Sequence, residues 1–403
     1  MTRRTNPARH AIGPSMTAPK RSLTRTPVIW AAYAMPAALT LFLSMVGPLL
    51  PHLRAELDLG YAQAALHTSA FAVGMIATGL VGERITAMLG RRTALWLGLV
   101  GMSLGLTLVC SATALWMSIL GCGVMGVLGT LLLVIGPALL AETDEDTRGL
   151  AFAEQNLIAY FGALATPPAV WLAVELSGWR AAMTLGWLTL ALGVLLFRKL
   201  KLPEAPAAEV QASGSLTPAY WAFWSLLMIT VATEFSVAVW GPSYLETILG
   251  LSRSTAVLAV AAFPVGMVAG RFGGVALLHR FRPQVLVVPS IALAFAGFML
   301  FWQGGSAWTG LAGLFVTGLG LANLYPLGIT LAVAAAGSAT SAATARTSLG
   351  SGLAIIGAPL ALGAMADRFG IVLAYALVPV LLAAAVAAFV AGRGTLQAAT
   401  ASR

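Results

Sequence analysis

Charge is scarce in this chain: Lys, Arg, Asp and Glu make up 9% of its 403 residues, against about a quarter in soluble globular domains. A chain so poor in charge has too little polar surface to face water, which excludes an ordinary soluble domain. Histidine (4) and cysteine (2) are scarcer still, and neither falls at metal-ligand spacing, so no metal or other cofactor is expected. Cys110 and Cys122 flank a short loop, where a disulfide and plain packing as small membrane thiols are both open readings. No phosphate-cradling glycine loop and no nucleophile elbow occurs, so the chain offers no case for an enzyme.

What is present is hydrophobic residue, 59% of the total. Uncharged runs of roughly 20 residues, enough to cross the hydrocarbon of a bilayer, recur along the whole length. They predict helices 1 to 12 near residues 28–50, 62–82, 93–111, 114–141, 150–173, 178–197, 218–241, 254–276, 284–302, 306–333, 342–364 and 370–391. The expected fold class is therefore an all-α polytopic membrane protein with about 12 transmembrane helices, and its constant partner is the lipid bilayer.

The net charge of +9 does not point to nucleic acid. Arg54, Arg180, Arg253 and Arg368 fall in one set of loops, leaving 19 of the 23 basic residues for the other set and the termini. The positive-inside rule then places both termini in the cytoplasm. Residues 1–27 read as a disordered cytoplasmic tail, within which Met16 offers an alternative start, and 392–403 read as a second tail. Between them lie a bundle over 28–197, a cytoplasmic linker over 198–217 and a bundle over 218–391.

The two bundles repeat one another. "FAVGMIATGLVG" (71–82) and "FPVGMVAGRFGG" (263–274) share six of twelve residues at an offset of 192, close to half the chain. The same offset takes Gly105 to Gly297, Gly126 to Gly318, Pro167 to Pro359 and Gly178 to Gly370. Parallel repeats of this kind are one of the two usual ways in which transporters build a midplane site between halves.

With that repeat, and with the loop "GLVGERITAMLGRR" carrying Gly79, Glu83, Arg84, Gly90, Arg91 and Arg92, the chain resembles the major facilitator superfamily over residues 28–391. The resemblance implies two six-helix repeats that rock about a cavity lined by helices 1, 4, 7 and 10. It also implies a bacterial inner-membrane location, a monomer, and a small-molecule substrate whose identity the fold does not give. The stretch "GLGLANLYPLG" looks like sugar permeases of the fucose-permease type. Helix 5 lacks the Gly-Pro-x-x-Gly-Gly signature usual in drug–proton exporters.

Ionisable residues at membrane depth are functional candidates by default. Glu234, two-thirds of the way along helix 7, is the candidate for proton coupling or substrate binding, because a carboxyl in low-dielectric surroundings can bind and release a proton as access alternates. Thr230, one turn away, is expected to hydrogen-bond it. On helix 10, Pro326 predicts a kink beside Asn323 and Tyr325, which would give the cavity a polar wall. The competing reading for all of these is contact between helices.

A further set is expected at the cytoplasmic end. Glu154 and Arg346 are repeat equivalents, as are Gly79 and Arg271. The superfamily packs helix 5 beside helix 8 and helix 2 beside helix 11, so the resemblance pairs Glu154 with Arg271 and Glu83 with Arg346. With Arg84, Arg91 and Arg92 these would form an inner gate; Glu154 touching substrate is the alternative. No Lys or Arg is read near the midplane, which favours a neutral, cationic or amphipathic organic solute. The function expected is secondary active transport driven by a proton gradient. The alternatives are a drug or metabolite exporter of the same superfamily, or a non-transporting receptor or scaffold.

Overall fold

The computed structural model describes residues 23–204, 216–278, 280–337 and 339–401. Twelve helices are long and apolar enough to cross a membrane, and no strand occurs among the described residues. Helix 1 is Pro27–Leu57, helix 2 Tyr61–Leu89, helix 3 Arg91–Cys110, helix 4 Leu115–Ala141 and helix 5 Glu145–Ser177. Helix 6, Met183–Phe197, follows a single 3-10 turn at Trp179–Ala182. Helix 7 is Pro218–Thr247, helix 8 Arg253–Ala259 continued by Ala262–Leu278, and helix 9 Pro283–Gln303. Helix 10 is Ala307–Leu321 continued by Leu324–Ala335, helix 11 Thr340–Phe369, and helix 12 Ile371–Ala374 continued by Leu377–Ala401. Residues 392–401 of the expected second tail continue helix 12, and 402–403 lie outside the described residues. Residues 1–22 of the expected first tail, and 205–215 of the linker, lie outside the described residues.

The halves start alike. Thr26 and Thr217 each accept a hydrogen bond from the backbone three residues on, at Ile29 and Tyr220, and each is followed by proline in the first turn, where its missing N–H is not needed. They also pack alike. A side chain at Gly126 would run into the Phe71 carbonyl between helices 4 and 2, and one at Gly318 into the Phe263 carbonyl between helices 10 and 8. Likewise Gly121 abuts the Gly105 carbonyl, and Gly313 the Gly297 carbonyl. All four positions and all four partners are related by the offset of 192. In lipid, where burial of apolar surface does not drive helices together, such close backbone approach through small residues does. Gly178 and Gly370, again equivalent, end helices 5 and 11 at φ of 83° and 81°, a conformation that side chains oppose. Cys110 and Cys122 are buried free thiols, so the packing reading holds for both.

The two bundles meet along helix 2 against helix 11, helix 1 against helix 7, and helix 5 against helix 8. Hydrogen bonds joining them run from Tyr61 N and Ala62 N to Asp367 and from Ser69 Oγ to the Ile356 carbonyl. Gly47 lies directly on the backbone of Ala238 and Val239. These contacts sit at mid-depth or toward the end remote from the termini. At the terminus-bearing end Glu83, Arg84 and Arg346 are exposed.

Candidate functional site: a charged pocket between the bundles

A pocket of about 690 Å³, part of it open at its mouth, lies at mid-depth between the halves. Helices 1, 2 and 5 contribute Leu43, Ser44, Thr68 and Tyr160, and helices 7 and 8 contribute Glu234 and Phe263. Most of the wall is apolar. Three polar groups at or beside it lack hydrogen-bond partners among the described residues. The Glu234 carboxylate accepts none, Thr68 Oγ1 is buried and unbonded, and Arg271 Nε is buried and unbonded.

Arg271 is the residue whose placement differs most from the sequence reading. Its guanidinium lies over the Tyr160 ring, 3.6 Å from the ring centroid, and so crosses from helix 8 to helix 5. It is also within electrostatic reach of Glu234. A cation on an aromatic face in dry surroundings is held by the ring's quadrupole. The long side chain carries its charge away from the helix end and up to the pocket, so the midplane region does contain a cation, contrary to expectation. The other titratable groups around Glu234 among the described residues are Tyr160 and, from helix 10, Tyr325.

The remaining candidates fall in several places. Thr230 does not reach Glu234; its hydroxyl donates to the Leu226 carbonyl of its own helix at 2.8 Å, the usual resting place of a helical threonine. Helix 10 is interrupted at Ala322 and Asn323, beside Asn323 as expected, and Pro326 lies in the first turn of the second segment, where no N–H is required. Asn323 Nδ2 donates to the Gly270 carbonyl at 2.7 Å, tying the break in helix 10 to the residue before Arg271. Tyr325 packs with Ala72, Val231 and Ile355, a small cluster shared by both halves.

The expected gate pairs are not formed. Glu154 is bound within its own bundle, accepting from Arg25 Nε at 3.0 Å, from Arg25 Nη2, and from the Tyr33 hydroxyl at 2.9 Å, so it pairs with neither Arg271 nor Arg346. Arg25, which precedes helix 1 in the expected tail, packs through this contact against the first bundle. Arg346 lies over the Trp221 ring of its own half, 5.7 Å from the centroid, and makes no ion pair with the exposed Glu83. Arg91 is buried and bonds Glu142 and the Pro203 carbonyl, while Arg92 donates to the Arg198 carbonyl at 2.7 Å. Both therefore brace the first bundle and the start of the linker rather than bridging the halves. Sequence reading missed Tyr160 and Thr68 altogether. An aromatic or hydroxyl side chain in a membrane helix carries no sign of which way it faces, and only the depth of Tyr160 opposite helix 8 was available as a signal.

Comparisons with known proteins bear on the whole arrangement. The chain is similar to the glucose/galactose transporter of Brucella abortus, with 27% identity over 374 residues covering 83% of this chain and 86% of the relative. A shorter match joins it to the mouse (Mus musculus) solute carrier family 2, facilitated glucose transporter member 6, with 31% identity over 122 residues. That match covers 29% of this chain, and the chain spans only about a quarter (24%) of the mouse protein's length. Among solved structures, a bacterial homolog of the human lysosomal transporter Spinster, in an inward-facing and occupied conformation, superposes with a TM-score of 0.76 at 14% identity, covering 93% of this chain and 97% of that one. At that identity the likeness speaks for the fold alone. The family model of the Major Facilitator Superfamily matches residues 32–354, and with twelve spans in two matching bundles the chain belongs to that superfamily of membrane transporters.

Proposed function

We propose that this protein moves a small organic solute by alternating access and that Glu234 couples the movement to protons. The observation that carries the reading is the Glu234 carboxylate itself, at a pocket formed by both halves, without a hydrogen bond, near one cation and two tyrosines. A carboxyl in such a place changes its proton affinity when the cation moves or when water enters, which is what coupling requires. The concentration of cross-bundle contacts away from the termini supports a conformation open toward the terminus-bearing face. The distribution of basic residues supports that face as the cytoplasmic one. An open cytoplasmic side also accounts for Glu83 and Arg346 standing exposed and apart.

The pocket wall is mostly apolar, which fits a solute with an apolar body and one polar head. A sugar is the second reading, favoured by the name of the Brucella relative. It fits the pocket less well, because a sugar's several hydroxyls need several partners when buried and each unmatched one carries a penalty.

The test is reconstitution into liposomes with an imposed pH gradient, a pH-sensitive dye inside, and a panel of organic solutes outside. Solute-dependent proton flux is expected from the wild type. Glu234→Gln is expected to lose gradient-driven accumulation while retaining solute exchange. Proton flux of wild-type size in Glu234→Gln would remove Glu234 from the mechanism.

A further inference from the structure

We propose that Arg271 is a solute-binding residue and that the solute's head is a single carboxylate, held by the Arg271 guanidinium beside Glu234. The proposal rests on the transport reading above and adds to it the chemistry of the ligand.

Four observations lead to it. Arg271 stacks on Tyr160, a lining residue of the pocket, and its buried Nε has no acceptor among the described residues, an arrangement that is disfavoured for a donor. Its charge is not consumed by an ion pair: Glu234 is an electrostatic neighbour but not a hydrogen-bonded or salt-bridged one. The guanidinium rests on the Tyr160 ring, and the backbone just before Arg271 is tied to helix 10 by the bond from Asn323 to the Gly270 carbonyl. A planar fork fixed in this way is the geometry that recognises a carboxylate through two parallel hydrogen bonds. Finally, the pocket offers Thr68 Oγ1 as a further unbonded polar group and otherwise apolar walls, including Phe263 and Met267, for the body of the ligand.

Charge balance sets the number of carboxylates. With Glu234 protonated, the site has one net positive charge, and one carboxylate neutralises it. A dianion would leave excess charge in dry surroundings, which is strongly unfavourable. With Glu234 ionised, the site is already neutral, and a bound anion would stand beside another anion. Solute and proton therefore occupy the site together, which links the ligand's charge to the coupling residue without any group beyond Arg271, Tyr160, Tyr325 and Glu234.

The test is binding to the purified full chain in detergent at mildly acidic pH, by calorimetry and thermal shift. The probes are a series of monocarboxylates from propionate to octanoate with benzoate, matched against benzamide, benzylamine and glucose. At least one monocarboxylate is expected to bind and stabilise the wild type, with the neutral and cationic isosteres at least tenfold weaker. Arg271→Gln should weaken that probe by about 30-fold or more, and Arg271→Lys, which keeps the charge but loses the fork, by about tenfold. Unchanged elution and melting of the ligand-free variants show that they fold, and if Arg271→Gln does not fold, Arg271→Lys alone decides. The proposal is overturned if no monocarboxylate binds, if benzamide, benzylamine or glucose binds as well as the best carboxylate, or if the Arg271 variants bind like the wild type. Glu234-dependent transport of a neutral solute would overturn this assignment and leave the transporter reading intact. Loss of Glu234 dependence would strike the transporter reading itself.

Discussion

Asp367, at the end of helix 11, accepts hydrogen bonds from the backbone N–H groups of Tyr61 at 2.6 Å and Ala62 at 2.8 Å. It thereby caps helix 2 of the opposite bundle. The residue at the cap position of helix 2 is Gly60, which has no side chain to offer, and a side chain there would crowd the Asp367 carboxylate. The cap is thus supplied by the other half, in a geometry and charge that suit a helix N-terminus.

Removing that cap has two expected effects. Asp367→Ala is expected to lower stability in detergent by about 1 kcal/mol, the usual size of a helix cap. The same change is expected to loosen the seam behind it, where Ser69 bonds the Ile356 carbonyl. Cysteine placed at 69 should then react faster with a membrane-impermeant maleimide than it does with Asp367 intact. Equal labelling rates would show that the cap does not hold the seam.

The duplicated glycine contacts predict duplicated sensitivity. Gly126→Leu and Gly318→Leu each force a side chain against a helix backbone, at the Phe71 and Phe263 carbonyls respectively. Each is expected to destabilise the protein by about 1–3 kcal/mol or more, as overpacking does, and by similar amounts. Gly79→Leu, at a position open to space, serves as the control and should be close to neutral. Melting temperatures of the three purified variants check this.

The pairing of Glu154 can be read from double-mutant cycles. Glu154 and Arg25 are in direct contact, so the cycle combining Glu154→Gln with Arg25→Gln should show coupling. Because Arg25 is exposed and Glu154 partly so, that coupling should shrink in high salt. The cycle combining Glu154→Gln with Arg271→Gln should show none. Coupling in the second cycle but not the first would restore the gate pairing expected from the superfamily.

Asn323 and Gly274 form a further testable unit. A methyl group at 274 would overlap the Asn323 side-chain amide, whose Nδ2 bonds the Gly270 carbonyl. Gly274→Ala and Asn323→Ala are each expected to cost about 0.6–2 kcal/mol, the range of interhelical hydrogen bonds in membrane proteins. The double variant should be little worse than either alone, since both break one contact. Additive losses in thermal unfolding would mean that the two residues act separately.

Twelve spans and a twofold plan were legible because both are one-dimensional properties: run length, and similarity at a fixed offset. Glu234 was legible because a carboxylate in an apolar run stands out at once. Partner choice was not. Glu154 meets Arg25 across 129 residues of chain; the chain before Pro27 reads as tail, and nothing in its composition marks Arg25 as part of the bundle. Arg271 reads as lying near the end of helix 8; the reach of its side chain, not its place in the sequence, brings it to Tyr160. Thr230 shares a helical turn with Glu234, yet its hydroxyl is satisfied locally by Leu226, an outcome that spacing cannot distinguish from the expected one. On helix 10, proline marked the break, because the interruption at Ala322 and Asn323 falls at the carbonyl that Pro326 has no N–H to bond.

The glycine seams also say where the molecule can bend. With helix 4 locked against helix 2 and helix 10 against helix 8, backbone on backbone, neither half has slack to absorb a change of shape internally. Each behaves as a stiff jaw. In the proposed transport cycle, motion falls to the joint between the jaws, where Gly47 lies against the Ala238 carbonyl and Asp367 holds the start of helix 2, so opening has to part both.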